Sequence, residues 1–523
     1  MKKKNVFFLL LIFVLATGLS FAAGGRQPAA TGTGPLTSDG RPLITIGMRA
    51  SPLITDFEDN YLTQFMENKW NVELDFHMLA NVGAEANTQI ALLVAANSLP
   101  DVVISMGMPV AAVLDYGSGG AFQRLNEWFF NPQIAPNFAV IPEQDKQLII
   151  TAITMSDGGI YSLPAFEPEL GNFTGHRYFI NEAWLNRLGL RTPTTTEELR
   201  TVLMAFRDRD PNGNGLQDEI PSLGQLNMWG ANIVAAFINS FIFYFPGRLS
   251  VAATGRTIIA PFTDPEFRRA LAYINELHSL LCWVWLLWEV MLLNIENNPN
   301  FQEMRIVAPF RGPRGIAYTP QVSYNPAGVA HIAARSGHGE LAFRIMENFL
   351  DENVSMVARY GIEDYHWGNK PEQLALAIPP NAKAVNLLPP IWPTTHNYHW
   401  RNQNPRYARA DHVHGNIPQP GAPPYNPMSR SNLIMPFILE HYTPARPEHM
   451  IPNLQFTLDE TMYLAEAIVT VNQYVSQSTA EFIIGARNIN NDAHWNEYLR
   501  NLDAMGLQRW ISSSQAALER TFR

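Results

Sequence analysis

A single cysteine, Cys282, in 523 residues leaves no partner for an intramolecular disulfide, so the cores must be held by their size alone. Basic tracts are missing outside Lys2-Lys3-Lys4. With 37 Lys and Arg against 47 Asp and Glu, the formal net charge is −10. Such a chain offers nothing to a phosphate backbone, which excludes a nucleic-acid partner, and it suits neutral or weakly cationic solutes. No repeat of fixed period is present. Carboxylates are plentiful, yet none stands in a catalytic motif, and G-x-S-x-G, H-E-x-x-H and phosphate-loop signatures are absent. A secreted polysaccharide hydrolase would need two carboxylates set across a scissile bond; nothing local marks such a pair, so the chain is expected not to be an enzyme.

What is present begins with a targeting pattern. Lys2, Lys3 and Lys4 precede an apolar run from Val6 to Leu19, followed by Ser20-Phe21-Ala22-Ala23. That order is a secretory signal peptide over 1–22, with cleavage after Ala22. No cysteine lies beside the cleavage site, so the expected location is periplasmic or extracellular without a lipid anchor. Residues 23–41, rich in Gly, Ala, Thr and Pro, read as a flexible tether, with order beginning at Pro42. Hydrophobic residues make up 46% of the chain, enough for two lobes or more at roughly 100–200 residues per domain. Leu43–Met48, Val72–His77 and Asp101–Ser105 have strand character, and helices are expected over Tyr61–Lys69 and Asn87–Asn97 between them. This alternation favours an α/β sheet with helices on its faces. Further helices are expected at Thr196–Arg207 (with Thr196 as cap), Phe267–His278, Gly339–Leu350, Leu458–Val475, Ala493–Met505 and Ile511–Arg520. Between 380 and 455 proline is frequent and periodicity fades.

The sharpest chemical signal is Asp210-Pro211-Asn212-Gly213-Asn214-Gly215-Leu216-Gln217-Asp218-Glu219. Oxygen side chains at alternate positions curl around one point, as hard Ca²⁺ requires, and the glycines permit the sharp turn. The opening half matches an EF-hand loop; at the twelfth position Pro221 replaces the usual glutamate, so Asp218 and Glu219 would close the site. The Leu216 carbonyl would supply a backbone oxygen. Every place is filled by the loop, so the site stabilises rather than catalyses.

The run Tyr178-Phe179-Ile180-Asn181-Glu182-Ala183-Trp184-Leu185-Asn186-Arg187-Leu188-Gly189-Leu190, then Thr192-Pro193-Thr194-Thr195, leads directly into that loop. With Ala95-Ala96-Asn97-Ser98-Leu99-Pro100-Asp101-Val102, Tyr360-Gly361-Ile362-Glu363 and Phe482-Ile483-Ile484-Gly485, it resembles the family 1 extracellular solute-binding proteins of carbohydrate ABC importers, in the large branch that includes alginate-binding proteins. The resemblance implies a helix-rich, two-lobed α/β clamshell of the periplasmic-binding-protein type (type II-like). It also implies a carbohydrate ligand in the interlobe cleft, permease subunits as partners, a monomer, and Ca²⁺ on Asp210, Asn212, Asn214, Leu216, Asp218 and Glu219. The expected division is 42–165 in the first lobe, 166–300 in the second with the calcium loop, 301–365 back in the first, and 366–523 in the second with the C-terminal helices.

A pyranose presents apolar C–H faces to aromatic rings and a rim of hydroxyls to carboxylates. Tyr116, Trp229, Trp367, Trp392, Tyr398 and Trp400 are the aromatic candidates, and Asp59 and Asp101 the acidic ones. Six of the 13 histidines lie between 396 and 449. Asp411-His412-Val413-His414 has loose metal-ligand spacing, but in a proline-rich region such residues are more often solvated or packed on aromatics. The segment 280–293, with Trp283, Trp285, Trp288 and Cys282, departs from the family pattern and is too short to span a bilayer.

Overall fold

The computed structural model describes residues 34–521 except 106, 169–175, 225–231, 281–283, 286–302, 322–325, 378–379, 389–394, 410–411, 418–435, 453 and 455. The expected signal peptide and the first part of the expected tether therefore lie outside the described residues. From residue 34 the chain is already docked: Leu36 bridges Pro42, and Arg41 Nη1 donates to the Val72 carbonyl (2.9 Å). Order thus begins before Pro42, because the Arg41 guanidinium finds a buried carbonyl to cap.

The first passage builds a parallel layer. β1 (Leu43–Arg49), α1 (Tyr61–Trp70), β2 (Glu73–Leu79), α2 (Gly83–Ala95) and β3 (Val102–Ile104) follow the alternation expected from the sequence, and β1 pairs in parallel with both β2 and β3. Asn60 caps α1, its Oδ1 accepting from the Leu62 amide (3.0 Å). α3 (Val110–Ser118), α4 (Glu143–Ile153) and β4 (Leu163–Phe166) complete this passage.

The chain then enters a second body through β5 (Tyr178–Asn181) and α5 (Thr196–Asp208). The cap of α5 is Thr195, not Thr196: Thr195 Oγ1 accepts from the Glu198 amide (3.2 Å) and Glu198 Oε2 accepts from the Thr195 amide (3.2 Å), while Thr196 turns inward and is buried. Replacing Thr195 by Ala removes half of that box and should cost about 1 kcal/mol in urea unfolding. α6 (Pro265–Ser279) and β6 (Met304–Val307) follow, with β6 antiparallel to β5.

The chain returns with β7 (Ala327–Ile332), which inserts antiparallel between β3 and β4. α7 (Gly339–Glu347), α8 (Glu352–Tyr360), β8 (Trp367–Gly368), β9 (Ala384–Asn386), β10 (Arg406–Tyr407) and β11 (His414–Asn416) stay with this first body. The principal sheet runs β10-β4-β7-β3-β1-β2, and β8-β9-β11 form a small second one. Three helices, α9 (Leu458–Ile483), α10 (Asp492–Ala504) and α11 (Leu507–Thr521), close the second body. None of the helices among the described residues is long and apolar enough to cross a membrane.

Two hydrophobic cores define the two lobes. One gathers Ile44, Leu62, Val102, Phe343, Phe349 and Tyr407 around the six-stranded sheet. The other gathers Leu199, Phe206, Phe267, Phe482, Tyr498 and Trp510 among α5, α6 and α9–α11. Strand pairing and core membership move two expected boundaries. Residues 304–310 belong to the second lobe, because β6 pairs with β5 and Phe310 lies in its core. Residues 366–416 belong to the first, because β10 extends its sheet and Trp367, Trp400 and Tyr407 lie in its core. The lobes meet where α3 packs against α9.

Candidate functional site

The chain passes between the lobes three times: after β4, before β7 and after β11. Around the first passage, Glu167 follows the end of β4 and is buried. It pairs with Arg359 from α8 and with Arg406 Nε from β10 (3.0 Å). Two cations on one carboxylate offset the cost of burying it, and they tie the exit from β4 to a helix and to the neighbouring strand. A small pocket lined by Glu167, Arg359, Arg406, Tyr407 and His412 opens here. No local signal could have found this group, because Glu167 lies more than 190 positions from both of its cations. On the second-lobe side, His176 packs edge-on against Phe245 (6.2 Å), and burial pushes its imidazole down to about 4. Tyr178 is buried and its phenol raised well above 10; its amide donates to Tyr442 Oη (2.9 Å), which itself donates to the Val307 carbonyl (2.7 Å). One hydroxyl thus links β5 to β6 at the entry to the second lobe.

The structure sorts the ligand candidates. Trp229 and Trp392 lie outside the described residues. Trp367 and Trp400 are fully buried and offer no face to a ligand: Trp367 Nε1 donates to the Gly361 carbonyl (2.9 Å), and Trp400 Nε1 to Thr63 Oγ1 (2.8 Å), with Phe76 and Phe349 against its ring. Both are core residues with their polar edge satisfied. Asp101 is buried as well. Its carboxylate accepts from the Thr45 amide (2.9 Å), Thr45 Oγ1 (2.8 Å) and Ser336 Oγ (2.6 Å), which clamps β1, β3 and the turn after β7. Asp59 is exposed in the turn before α1 and accepts from Gln64 Nε2 (2.8 Å). Tyr116 and Tyr398 are partly exposed. Tyr116 stands edge-on to Phe122 (5.6 Å) on α3, the helix that meets the other lobe, and burial raises its phenol. Tyr398 lies beside His366 (4.4 Å).

The loop 210–219 is built as its residue types dictate. Asp210 takes φ 46°, and Gly213 and Gly215 take 76° and 79°, so the chain turns tightly around the Asp210 carboxylate. Its Oδ1 accepts from the amides of Gly213 (2.8 Å) and Asn214 (3.1 Å), and its Oδ2 from that of Gly215 (2.8 Å). Asn212 and Asn214 point their amide groups at Asp218 (3.1–3.2 Å). Both carboxylate oxygens of Glu219 are shielded from water with no partner among the described residues. An oxygen-only donor set with an unmet buried carboxylate fits a hard cation. The set mixes three acidic side chains, Asp210, Asp218 and Glu219, with two amides and a carbonyl, and no cluster of three or more His, Cys, Asp or Glu placed to hold a metal occurs among the described residues. The spacing of the sequence, rather than acid count, therefore carries the fit. For the histidine pair after it, Asp411 lies outside the described residues, and His414 is stacked flat on Tyr360 at 3.8 Å, a packing role.

A mixed sheet in one lobe, a helical core in the other and three chain passages between them make this the two-lobed solute-binding fold. No protein-family model matches the chain. The fructooligosaccharide ABC transporter substrate-binding protein FusA of Streptococcus pneumoniae is 23% identical over 501 residues, covering 89% of this chain and 88% of that one. Its structure in complex with kestose superposes with a TM-score of 0.72 at 19% identity, over 92% of this chain and 99% of FusA. An extracellular solute-binding protein from Bifidobacterium longum subsp. infantis also gives 0.72 at 17% identity, over 93% and 99%. The alginate-binding protein AlgQ2, solved without calcium ion, gives 0.64 at 17%, over 92% and 98%. An EF-hand mutant of FusA with fructo-nystose gives 0.69 at 19%, over 92% and 99%. The chain thus has the fold of carbohydrate-binding ABC-transporter substrate-binding proteins, and its similarity to one of them runs nearly end to end.

Proposed function

We propose that the protein is the extracytoplasmic substrate-binding component of an ABC importer, which captures a sugar or oligosaccharide between its lobes and delivers it to permease subunits without breaking a bond. The single observation that carries this is similarity to FusA along almost the whole length of both chains, on a shared two-lobed fold. Two lobes joined by three strands of chain can close on a solute as hinged bodies. Tyr116 and Tyr398, with Trp229 and Trp392, are the rings for stacking on sugar C–H faces. The protein acts outside the cytoplasmic membrane, as a monomer.

Ca²⁺ belongs in the loop 210–219, held by Asp210, Asn212, Asn214, the Leu216 carbonyl, Asp218 and Glu219. Bound there, the ion supplies fixed positive charge that orders the loop. The chain's own part is to pre-shape the turn: Arg187, the last residue of the short helix Glu182–Arg187, donates to the Pro211 carbonyl and ties the loop's first step to that helix.

Thermal shift tests the ligand class. A solute that binds only the folded form raises the midpoint, by several degrees at 100 times its Kd. Kestose, alginate oligosaccharides and galacturonate oligosaccharides form one panel and mixed peptides the other. A rise with at least one glycan is expected; a response to peptides alone, or release of reducing sugar on incubation, overturns the reading.

A further inference from the structure

Both ends of the loop 210–219 are attached to one short stretch of the chain. Upstream, Arg207 lies in the last turn of α5, three residues before Asp210. Its Nε and Nη2 donate to the two carboxylate oxygens of Asp208 (2.6 and 2.8 Å), which fixes the guanidinium plane, and its Nη1 donates to the Leu280 carbonyl. Leu280 is the C-cap of α6, so this carbonyl stands at a helix end that lacks intrahelical donors and favours a cation. Downstream, the strand Leu223–Gly224 begins four residues after Glu219 and pairs in parallel with Val284–Trp285, Leu223 opposite Val284 and Gly224 opposite Trp285. The same strand rests against the helix Ile233–Ile238, whose Val234 to Ile238 are buried in the second-lobe core. Leu280 and Val284 lie four positions apart, so no more than about 14 Å of chain separates the two attachments.

The two halves of the loop differ in what holds them. The first half is shaped from within, because the Asp210 carboxylate accepts from the amides of Gly213, Asn214 and Gly215. The second half carries Asp218 and Glu219, and both oxygens of Glu219 have no partner among the described residues. Where Glu219 arrives relative to Asp210 is therefore set by the arm that runs on to Leu223, and that arm is set by its pairing with Val284. Gathering oxygens around a cation costs loop entropy, and a loop whose ends are already brought together has lost part of it beforehand. The start of the segment 280–293, which departs from the family pattern, thus has a place in the fold: it spans the two ends of the calcium loop.

We infer that Arg207 and the strand pair Leu223–Gly224 with Val284–Trp285 are positioning elements of the calcium loop: they fix the separation of its ends, and calcium binding in turn orders 284–285. The inference rests on the calcium reading of 210–219. By linkage, an attachment that favours the ion is favoured by it to the same degree. The test is calcium affinity by titration calorimetry at pH 7.5, beside the melting temperature in chelator. Arg207→Met keeps the length of the side chain and removes its donors. It should raise the Kd about tenfold, the worth of one charge-assisted hydrogen bond. Loss of a nearby positive charge alone would tighten calcium, so weaker binding reports position rather than charge. Arg207→Lys keeps a donor for the Leu280 carbonyl and should recover most of the affinity. In the unaltered protein, calcium should slow amide exchange at 223–224 and 284–285 together with 210–219; this measurement decides the matter should Arg207→Met fail to fold. An unmoved Kd with a lowered midpoint in chelator gives Arg207 a purely structural role and overturns the inference. Exchange that slows at 210–219 but not at 284–285 also overturns it and leaves the calcium assignment standing. Failure of the unaltered protein to bind calcium overturns both.

Discussion

Adding a calcium chelator should lower the melting temperature of the protein by about 5–10 °C, and Asp218→Ala should reproduce the loss in the presence of calcium. The size follows from linkage. A ligand at 100 times its Kd stabilises the folded form by about 2.7 kcal/mol, and one kcal/mol moves the midpoint of a lobe of this size by about 2–4 °C. The cause lies in the loop's electrostatics. Asp210 and Asp218 face the same turn, and Glu219 sits with both oxygens out of water and unpartnered among the described residues. Removing a cation leaves these charges to repel one another and leaves a desolvated carboxylate uncompensated. Glu219→Gln separates two accounts. If calcium is held, Gln weakens binding and flattens the chelator effect. If the loop is only a chain of Asx turns, Gln relieves a buried charge, the midpoint rises, and the chelator does nothing in either protein.

How much of this was legible in the sequence depends on the range of the forces involved. Helices with local caps and a single apolar stripe were readable to within a few residues, except that α9, expected to end at Val475, runs on to Ile483. Thr196–Asp208, with Leu199, Val202, Leu203 and Phe206 buried, differs from expectation only in which of two threonines caps it. Thr195 wins because only its hydroxyl reaches the Glu198 amide, while Thr196 fills the core. The tight turn at 210–219 was readable because all of the residues that build it lie within ten positions. The aromatic sites were not. Trp400 is a core residue because Thr63, Phe76 and Phe349 surround it, and those partners lie far away in the chain. Asp101 looked poised for a ligand until Thr45 and Ser336 saturated its oxygens. The lobe boundary near 366 moved for the same reason: a two-residue strand, Arg406–Tyr407, joins the first sheet by pairing with β4, and so short a strand leaves little trace in a sequence. The six histidines between 396 and 449 were visible as a cluster, but what holds each ring, such as Tyr360 against His414, is set by the folded chain.

The protein should also lose stability steeply between pH 6.5 and pH 4. Burial holds His176, His331 and His396 down to about 4, against 6.5 for a free imidazole; in His396 the neighbouring Arg401 and His366 add to it. His331 lies in the middle of the sheet, stacked on Phe122 at 4.6 Å, with its Nδ1 donating to the Tyr161 carbonyl (2.9 Å). These folded-state values lie below the unfolded one. Over the interval the unfolded chain therefore binds protons that the native protein refuses, and stability falls as pH falls. Above pH 6.5 the three histidines are neutral in both states and cost nothing; below pH 4 they have finished contributing. Each is worth about 3 kcal/mol across the full interval, which together is comparable to the whole stability of a domain. Urea midpoints measured from pH 7.5 to pH 4 should fall along that limb. His331→Asn, whose amide nitrogen takes the place of Nδ1 and can still donate to the Tyr161 carbonyl, should remove about one third of the slope while leaving an unshifted midpoint in pH. A flat profile down to pH 4.5 would mean that the imidazoles gain solvent or a counter-ion in the native state. Loss that sets in only below pH 4 would place the acid sensitivity on the carboxylates instead.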